Sequence, residues 1–180
     1  MKQLHIITPV KDSIELTLQT IESILSSDFA IPYHYYVYND FSTDENTARL
    51  REASEKMGFE LINLSDLTDH PSPNYLLILQ TAQQKAIAAD AGLLIVESDV
   101  IVKKHTLQSL FDGALMRPDC GIAAAVTVDE RENINYPYLY AKGKEGKVFP
   151  EKKHLSFCCS LLTVSFLKAF DFHQLDPEKN

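Results

Sequence analysis

The sequence predicts an α/β fold, a three-layer α/β/α sandwich around a mainly parallel sheet. Two observations predict it. Short apolar runs alternate along the chain with longer segments of helical periodicity. Strands joined through helices then pair in parallel with right-handed crossovers. The 180 residues, 45% apolar and 23% charged, suit one soluble globular domain. No internal repeat or low-complexity tract interrupts the alternation.

Residues 4–8 form an apolar run before Pro9 and are expected to be a buried strand. Asp12 and Glu15 have the spacing of a capping box. Ile14, Leu18, Ile21 and Leu25 lay one apolar stripe on the helix that follows. Pro32 closes the linker to a second strand, 33–38. Ser42 and Glu45 repeat the capping-box spacing ahead of a helix over 43–57, with Gly58 at the terminating position. Residues 59–64 read as a third strand and 66–73 as a polar loop. A helix rich in Ala, Gln and Leu runs from 74 or 75 to 89 and is ended by Gly92. A fourth strand is expected at 93–96, a shorter helix at 106–115 and a fifth strand at 121–128. From Asp129 the rhythm breaks. Tyr136-Pro137-Tyr138, Gly143 and Gly146 predict a long irregular loop or hairpin, and 155–170 a strand followed by a short helix.

The net charge, 17 − 25 = −8, argues against nucleic acid as a partner, which needs a basic face. A nucleotide ligand stays compatible, because a bound cation screens a diphosphate. Cys120, Cys158 and Cys159 are odd in number, with two adjacent, so a disulfide framework is not expected. They read as small buried apolar residues in a reducing compartment. No C-x-x-C supports a structural zinc. Met1-Lys2-Gln3 leads straight into a strand-like run, so no signal peptide is expected. The apolar stretch 155–167 is too short to span a bilayer, which takes roughly 20 residues. The expected location is cytoplasmic, with peripheral association at the inner face of the membrane left open.

Two acidic segments carry the chemistry. Asn39-Asp40-Phe41-Ser42-Thr43-Asp44 follows the second strand, and Glu97-Ser98-Asp99 follows the fourth. Carboxylates at the ends of buried strands are costly unless a cation or hydrogen-bond donors meet them. Strand C-termini are also where open α/β sheets bind ligands. Asp40, ahead of a helix N-terminus, is placed to accept from a ribose or a base, and Ser42 to cap that helix or shape the pocket. The plainer account is a turn and a cap, since the same residue types serve turns. If the strand continues, Glu97 and Asp99 share one face and present two hard oxygen ligands for Mg²⁺ or Mn²⁺. The plainer account there is a solvated acidic turn.

These segments resemble family 2 glycosyltransferases. Ile6-Ile7-Thr8-Pro9-Val10-Lys11-Asp12 is similar to that family's opening strand and "PVYN" turn, with Lys11-Asp12 for Tyr-Asn. Residues 39–44 resemble its "DDGSTD" motif, and Gly92 to Asp99 its "GxYIxFLDAD" run ending in the metal-binding DxD. Phe170-Asp171 echoes a "GFDE" element. The resemblance covers about residues 4–128. It implies a Rossmann-like GT-A fold (the nucleotide-diphospho-sugar transferase fold) and transfer of a sugar from a UDP-, GDP- or dTDP-sugar donor. The acceptor would be a glycan, cell-surface polysaccharide or lipid-linked molecule, and the transfer would proceed with inversion and Mn²⁺ or Mg²⁺. It implies one domain, with 1–128 as the donor-binding half and 129–180 as a partial acceptor side. Thr8, Pro9, Val10, Asp12, Asn39, Asp40, Ser42, Glu97 and Ser98 would line the donor site, and Asp99 with Glu97 would hold the metal.

The chain departs from the pattern in several places. Glu97 replaces the first Asp of DxD, Val100 stands where many members carry another Asp, and Phe41 replaces a Gly that lets the loop bend. No Arg-Asn pair precedes the helix near Asn74; Lys85 on that helix is a substitute diphosphate contact or a surface lysine. An inverting transferase needs a base for the acceptor hydroxyl. Asp171 and Asp176 are weak candidates. Either a group outside these 180 residues supplies the base, or the domain is a non-catalytic module that only binds the donor or a partner chain. His105, His154 and His173 reach a metal only through tertiary folding. Tyr136, Tyr138 and Tyr140 alternate as on a strand or loop edge, for packing or for stacking on a sugar. A dinucleotide oxidoreductase is excluded because no G-x-G-x-x-G follows the first strand, and a P-loop NTPase because G-x-x-x-x-G-K-[ST] is absent. A sugar nucleotidylyltransferase would need a glycine-rich opening loop that this chain lacks.

Overall fold

The computed structural model describes residues 1–136, 138–152 and 154–175. Six strands form one sheet: β1 (Leu4–Val10), β2 (Tyr33–Asn39), β3 (Glu60–Asn63), β4 (Gly92–Val96), β5 (Ile122–Ala124) and β6 (Cys159–Leu162). Their order is β3-β2-β1-β4-β6-β5. The first four are mutually parallel, and β6 runs antiparallel to both β4 and β5. Every residue of β1 and β4 is buried, as expected of central strands covered on both faces.

Among the described residues, five helices supply the covering layers: α1 (Ile14–Leu25), α2 (Asp44–Met57), α3 (Tyr75–Ala88), α4 (Thr106–Leu115) and α5 (Val164–Ala169). The pleat sends alternate side chains of each strand to opposite faces. Leu4, Ile6, Leu94 and Val96 join Ile14, Ile21, Leu50, Leu107 and Phe111 in one core cluster, under α1, α2 and α4. Ile7, Leu93 and Ile95 join Ile78, Leu79, Ala82 and Leu167 in the other, under α3 and α5. The result is the three-layer sandwich.

Several boundaries differ from the sequence reading, each for a local reason. β1 runs through Pro9 to Val10. Its pairing with β4 stops at Ile7↔Ile95 while its pairing with β2 continues to Val10↔Asn39, so a missing ladder donor at Pro9 is tolerated. Gly58 does end α2 in the left-handed conformation (φ 79°). Gly92 does not end α3. That helix stops at Ala88, Asp90 takes the positive φ (50°), and Gly92 opens β4. A Cβ at Gly92 would meet the ends of the Met1 and Leu4 side chains, which would have to shift to admit it.

β5 covers only 122–124, and the chain continues into an irregular excursion that carries an isolated bridge, Val128↔Ile134. Tyr138 lies in a 3₁₀ turn (Tyr138–Ala141), not on a strand. It is buried, and its hydroxyl exchanges hydrogen bonds with the Ser156 backbone. Tyr140 packs edge-on to Phe149, and Tyr136 is 86% exposed. Pro137, between them in sequence, lies outside the described residues, as does Asp176. All three cysteines are free; Cys159 is buried, but Cys120 and Cys158 are half-buried, so the expectation of three core thiols holds for one. Among the described residues, no helix is long and apolar enough to cross a membrane.

Candidate functional site

The sheet parts beyond Ile7 and Ile95, between the C-terminal ends of β1 and β4. The helix leaving β1 covers one face, and the helix entering β4 covers the other. That is the topological switch point, where doubly wound sheets form a ligand crevice. The segments at its rim are residues 11–13 after β1, 40–43 after β2 and 97–100 after β4.

The first two segments clasp each other. The Asp12 amide donates to Ser42 Oγ at 2.8 Å, and Asp12 Oδ1 accepts from the Thr43 amide at 2.9 Å and from Asn46 Nδ2 at 3.0 Å. Lys11 Nζ donates to the Phe41 carbonyl. Asp12 therefore serves the start of α2, not α1. The cap of α1 is Ser13, in the left-handed region and without a side-chain bond, so the Asp12–Glu15 capping box does not form. The backbone bond from Thr43, then the Asn46 amide, hold the Asp12 carboxyl below its ordinary range. The second capping box is displaced by one residue. Thr43, not Ser42, caps α2 by accepting from the Asn46 amide.

Three non-glycine residues here have positive φ: Asp12 (55°), Ser13 (48°) and Phe41 (55°). Left-handed backbone costs an L-residue roughly 1–2 kcal/mol. Such strain persists only where the surroundings enforce it, and it gathers at functional sites. The Phe41 ring packs against the α3-side core, which opposes that cost.

Asn39 is 3% exposed and committed internally. Its amide donates to Thr47 and Asn63, and its carbonyl oxygen accepts from the Ser42 amide. Asp40 is 6% exposed. Its carboxylate accepts from Ser72 Oγ (2.7 Å), the Asn74 amide (2.8 Å) and Asn74 Nδ2 (2.8 Å), and so fixes the start of α3. An ionised carboxylate offers about four acceptor positions. Three are taken, leaving one for a ligand.

The strand does not continue past Val96. Residues 97–100 form a turn closed by the Val100 amide on the Glu97 carbonyl, so the expected pleat relation of Glu97 and Asp99 is replaced by a turn. The Glu97 amide donates to the Cys158 carbonyl, and Thr20 Oγ1 donates to the Ser98 carbonyl. The Glu97 carboxylate is half-buried and accepts from the Tyr75 hydroxyl at 2.7 Å. Burial first, and then the Asp99 charge, push its carboxyl above the ordinary range, against the Tyr75 bond. Asp99 is exposed.

Thr8 turns its hydroxyl to Tyr35, Pro9 and Val10 are buried in β1, and the Val10 carbonyl accepts from the Asp40 amide. The structure thus gathers Asp12, Asn39 and Ser42 in one bonded cluster, with Asp40 beside them bonded to Ser72 and Asn74, and Glu97, Ser98 and Asp99 in one turn. Asn74 and Tyr75, the N-terminus of α3, join the two. Sequence reasoning took these two residues only as a helix start. Their one signal is that a polar Ser72-Pro73-Asn74 run precedes an apolar helix.

Other candidates lie elsewhere. Lys85 sits over the Tyr36 ring (4.9 Å) and 3.7 Å from Glu60, at the opposite end of α3, and does not replace a diphosphate contact at the crevice. The segment bearing Asp171 packs on the middle of α3. Gln80 donates to the Phe172 carbonyl, and Gln83 bridges Leu167, Phe170 and Phe172. Gln80 stands about 7 Å along the helix axis from Tyr75. The Asp171 carboxylate is engaged by His173. His105 lies by Asp28, and among the described residues no three His, Cys, Asp or Glu side chains converge on a cation-sized site.

Two hard oxygen donors on one turn fit a divalent cation whose remaining positions are filled by ligand phosphates and water, the habit of Mg²⁺. They do not form an all-protein cage.

No protein-family model matches the sequence, and no curated protein matches it. Solved structures do. Glucosyl-3-phosphoglycerate synthase from Mycobacterium tuberculosis, in complex with Mn²⁺, uridine-diphosphate and glucosyl-3-phosphoglycerate, is similar at TM-score 0.55 and 15% identity. The match covers 91% of this chain and 57% of that one. A mannosyltransferase from Pyrobaculum calidifontis, in complex with GDP-Man and Mn²⁺, is similar at TM-score 0.53 and 16% identity, over 73% of this chain and 36% of that one. S. aureus TarS 1-349 in complex with UDP is similar at TM-score 0.50 and 21% identity, over 64% and 32%. The likeness establishes the fold, which is that of GT-A glycosyltransferases. The chain spans between about a third and little more than half of these proteins.

Proposed function

We propose that this chain is a nucleotide-sugar-dependent glycosyltransferase domain of the family 2 type, using Mn²⁺ or Mg²⁺ and transferring with inversion to a glycan, polysaccharide or lipid-linked acceptor. The observation that carries the reading is the pairing of two carboxylate sites across the switch-point crevice, one at Asp40 and one at Glu97–Asp99, joined through Asn74 and Tyr75. Its support is chemical: one site suits a nucleoside, the other a cation with a diphosphate. The neighbours above are structures with UDP, GDP-Man and Mn²⁺.

In this reading the fourth acceptor position of Asp40 takes a ribose hydroxyl or a base N–H. Thr8, Pro9 and Val10 form the wall beneath it, while Asp12, Asn39 and Ser42 hold the loop that carries it. Ser98 sets the turn through its carbonyl. Asp99 and Glu97 hold the metal. When bound, a divalent cation neutralises the diphosphate and stabilises its leaving charge. The acceptor proton needs a base, and no described residue is assigned to it.

A second reading is a module that binds the donor without turnover. It is favoured by Asp171, whose carboxylate is held by His173 beside the middle of α3.

A panel of UDP-, GDP- and dTDP-sugars, with and without Mn²⁺, tests the proposal by thermal shift. One nucleotide should raise the melting temperature, and Mn²⁺ should raise it further, by mass action on the folded state. Asp99→Ala should abolish the Mn²⁺-dependent part. Equal metal dependence in that variant would sink the assignment. Turnover of a nucleotide-sugar separates transfer from binding alone.

A further inference from the structure

Glu97 differs from the aspartate expected at its position by one methylene, and a longer side chain has more freedom to leave a site. Two bonds restrain it. Its amide donates to the Cys158 carbonyl at 2.9 Å, and its carboxylate accepts from the Tyr75 hydroxyl at 2.7 Å. The carboxylate makes no other hydrogen bond among the described residues, so most of its acceptor capacity is open. Asp99, two residues on, repels it. Without a donor on the far side, that repulsion would turn Glu97 away from its partner.

Tyr75 is well placed to be that donor. It is the first residue of α3, and Asn74 before it is held by Asp40 through both its amide and its side chain. Its backbone is therefore fixed by one acidic strand end and its hydroxyl is spent on the other. A phenol keeps its proton at neutral pH, and a carboxylate only accepts, so Tyr75 is the donor of this bond.

We propose that Tyr75 is a positioning residue: its hydroxyl pins one oxygen of Glu97 so that Glu97 and Asp99 together receive a divalent cation carried by a nucleoside diphosphate. The inference rests on the reading of the 97–99 turn as the cation and diphosphate site. It assigns to this chain's own tyrosine the task of making a glutamate serve where a shorter aspartate would need no such support.

The test is a double-mutant cycle on Mn²⁺ binding, followed by the EPR signal of free Mn²⁺ in the presence of UDP or GDP, with nucleotide affinity also measured without metal. Tyr75→Phe keeps the ring and removes only the donor. It should weaken Mn²⁺ binding about tenfold, the loss of one hydrogen bond to a charged group. Metal-free nucleotide affinity should stay within about twofold. In a Glu97→Ala background the same change should cost less than about twofold, because the partner is gone. An equal loss in both backgrounds, or no loss with Glu97 present, would overturn the role of Tyr75 alone. A wild-type protein with no metal-dependent nucleotide binding would overturn the transferase reading and this role with it.

Discussion

Glu97 is a charge held where the fold alone would not choose to hold it. Its carboxyl lies above the ordinary 4.5, chiefly through burial. The sign follows from linkage. A raised folded value means the native state binds more protons than the unfolded state, so stability is complete below pH 4.5 and falls as pH rises through the folded value. Glu97→Gln keeps the shape and a group able to accept from Tyr75, but does not ionise. Its stability relative to wild type, measured by urea unfolding, should therefore improve between pH 4 and pH 7. A difference between the two proteins that does not move with pH would refute this. The gain should come with loss of the Mn²⁺ effect, the usual exchange between stability and function. This part of the site was legible in the sequence as residue types, but not as commitments. Asp40 and Asp99 stand out as acids after strands. That Asp40 spends three acceptor positions on Ser72 and Asn74 depends on a chain segment 32 to 34 residues away. Phe41 looked like a loss of loop flexibility. It does occupy the left-handed position a glycine would favour, and the α3-side core holds its ring.

The start of α2 shows how element boundaries escape a pattern. Ser42 with Glu45, and Thr43 with Asn46, both place a hydroxyl three residues before a polar partner. Only backbone direction decides between them, and the left-handed turn at Phe41 carries Ser42 toward Asp12, leaving Thr43 as the cap. Thr43→Ala should therefore cost about 1 kcal/mol of stability, the usual worth of a cap. The measurement is a urea midpoint shift at unchanged slope. If Ser42→Ala carried the full cost and Thr43→Ala none, the assignment of the cap would be wrong. The alternation of strands and helices up to residue 124 was readable because burial on both faces writes continuous apolar runs, as in β1 and β4. The reach of β1 through Pro9 was not. It depends on where β4 stops pairing, which no local pattern encodes.

The sheet places β6 between β4 and β5, so residues beyond 128 supply an interior strand and not a peripheral addition. Antiparallel insertion of a late strand is a tertiary choice, and the rhythm of the first 124 residues does not announce it. Leu93 to Val96, all of β4 except Gly92, pair with Leu162 to Cys159. Among the described residues β5 pairs only with β6. Removing residues 129–180 would leave β4 as an exposed apolar edge and cut β5 loose. It would also strip from the α3-side core Leu162, Leu167 and Phe172, all nearly fully buried, and Leu161 from the other. At about 2 kcal/mol for each buried large side chain, those four are worth on the order of 8 kcal/mol. That is comparable with the whole stability of a domain, about 5–15 kcal/mol. A fragment of residues 1–128 should therefore show no cooperative thermal transition and should self-associate through β4, an unprotected hydrophobic edge. Circular dichroism melting and analytical ultracentrifugation read both outcomes. A monomeric fragment with a sharp transition would mean that the first 128 residues stand alone, and that β6 only decorates them.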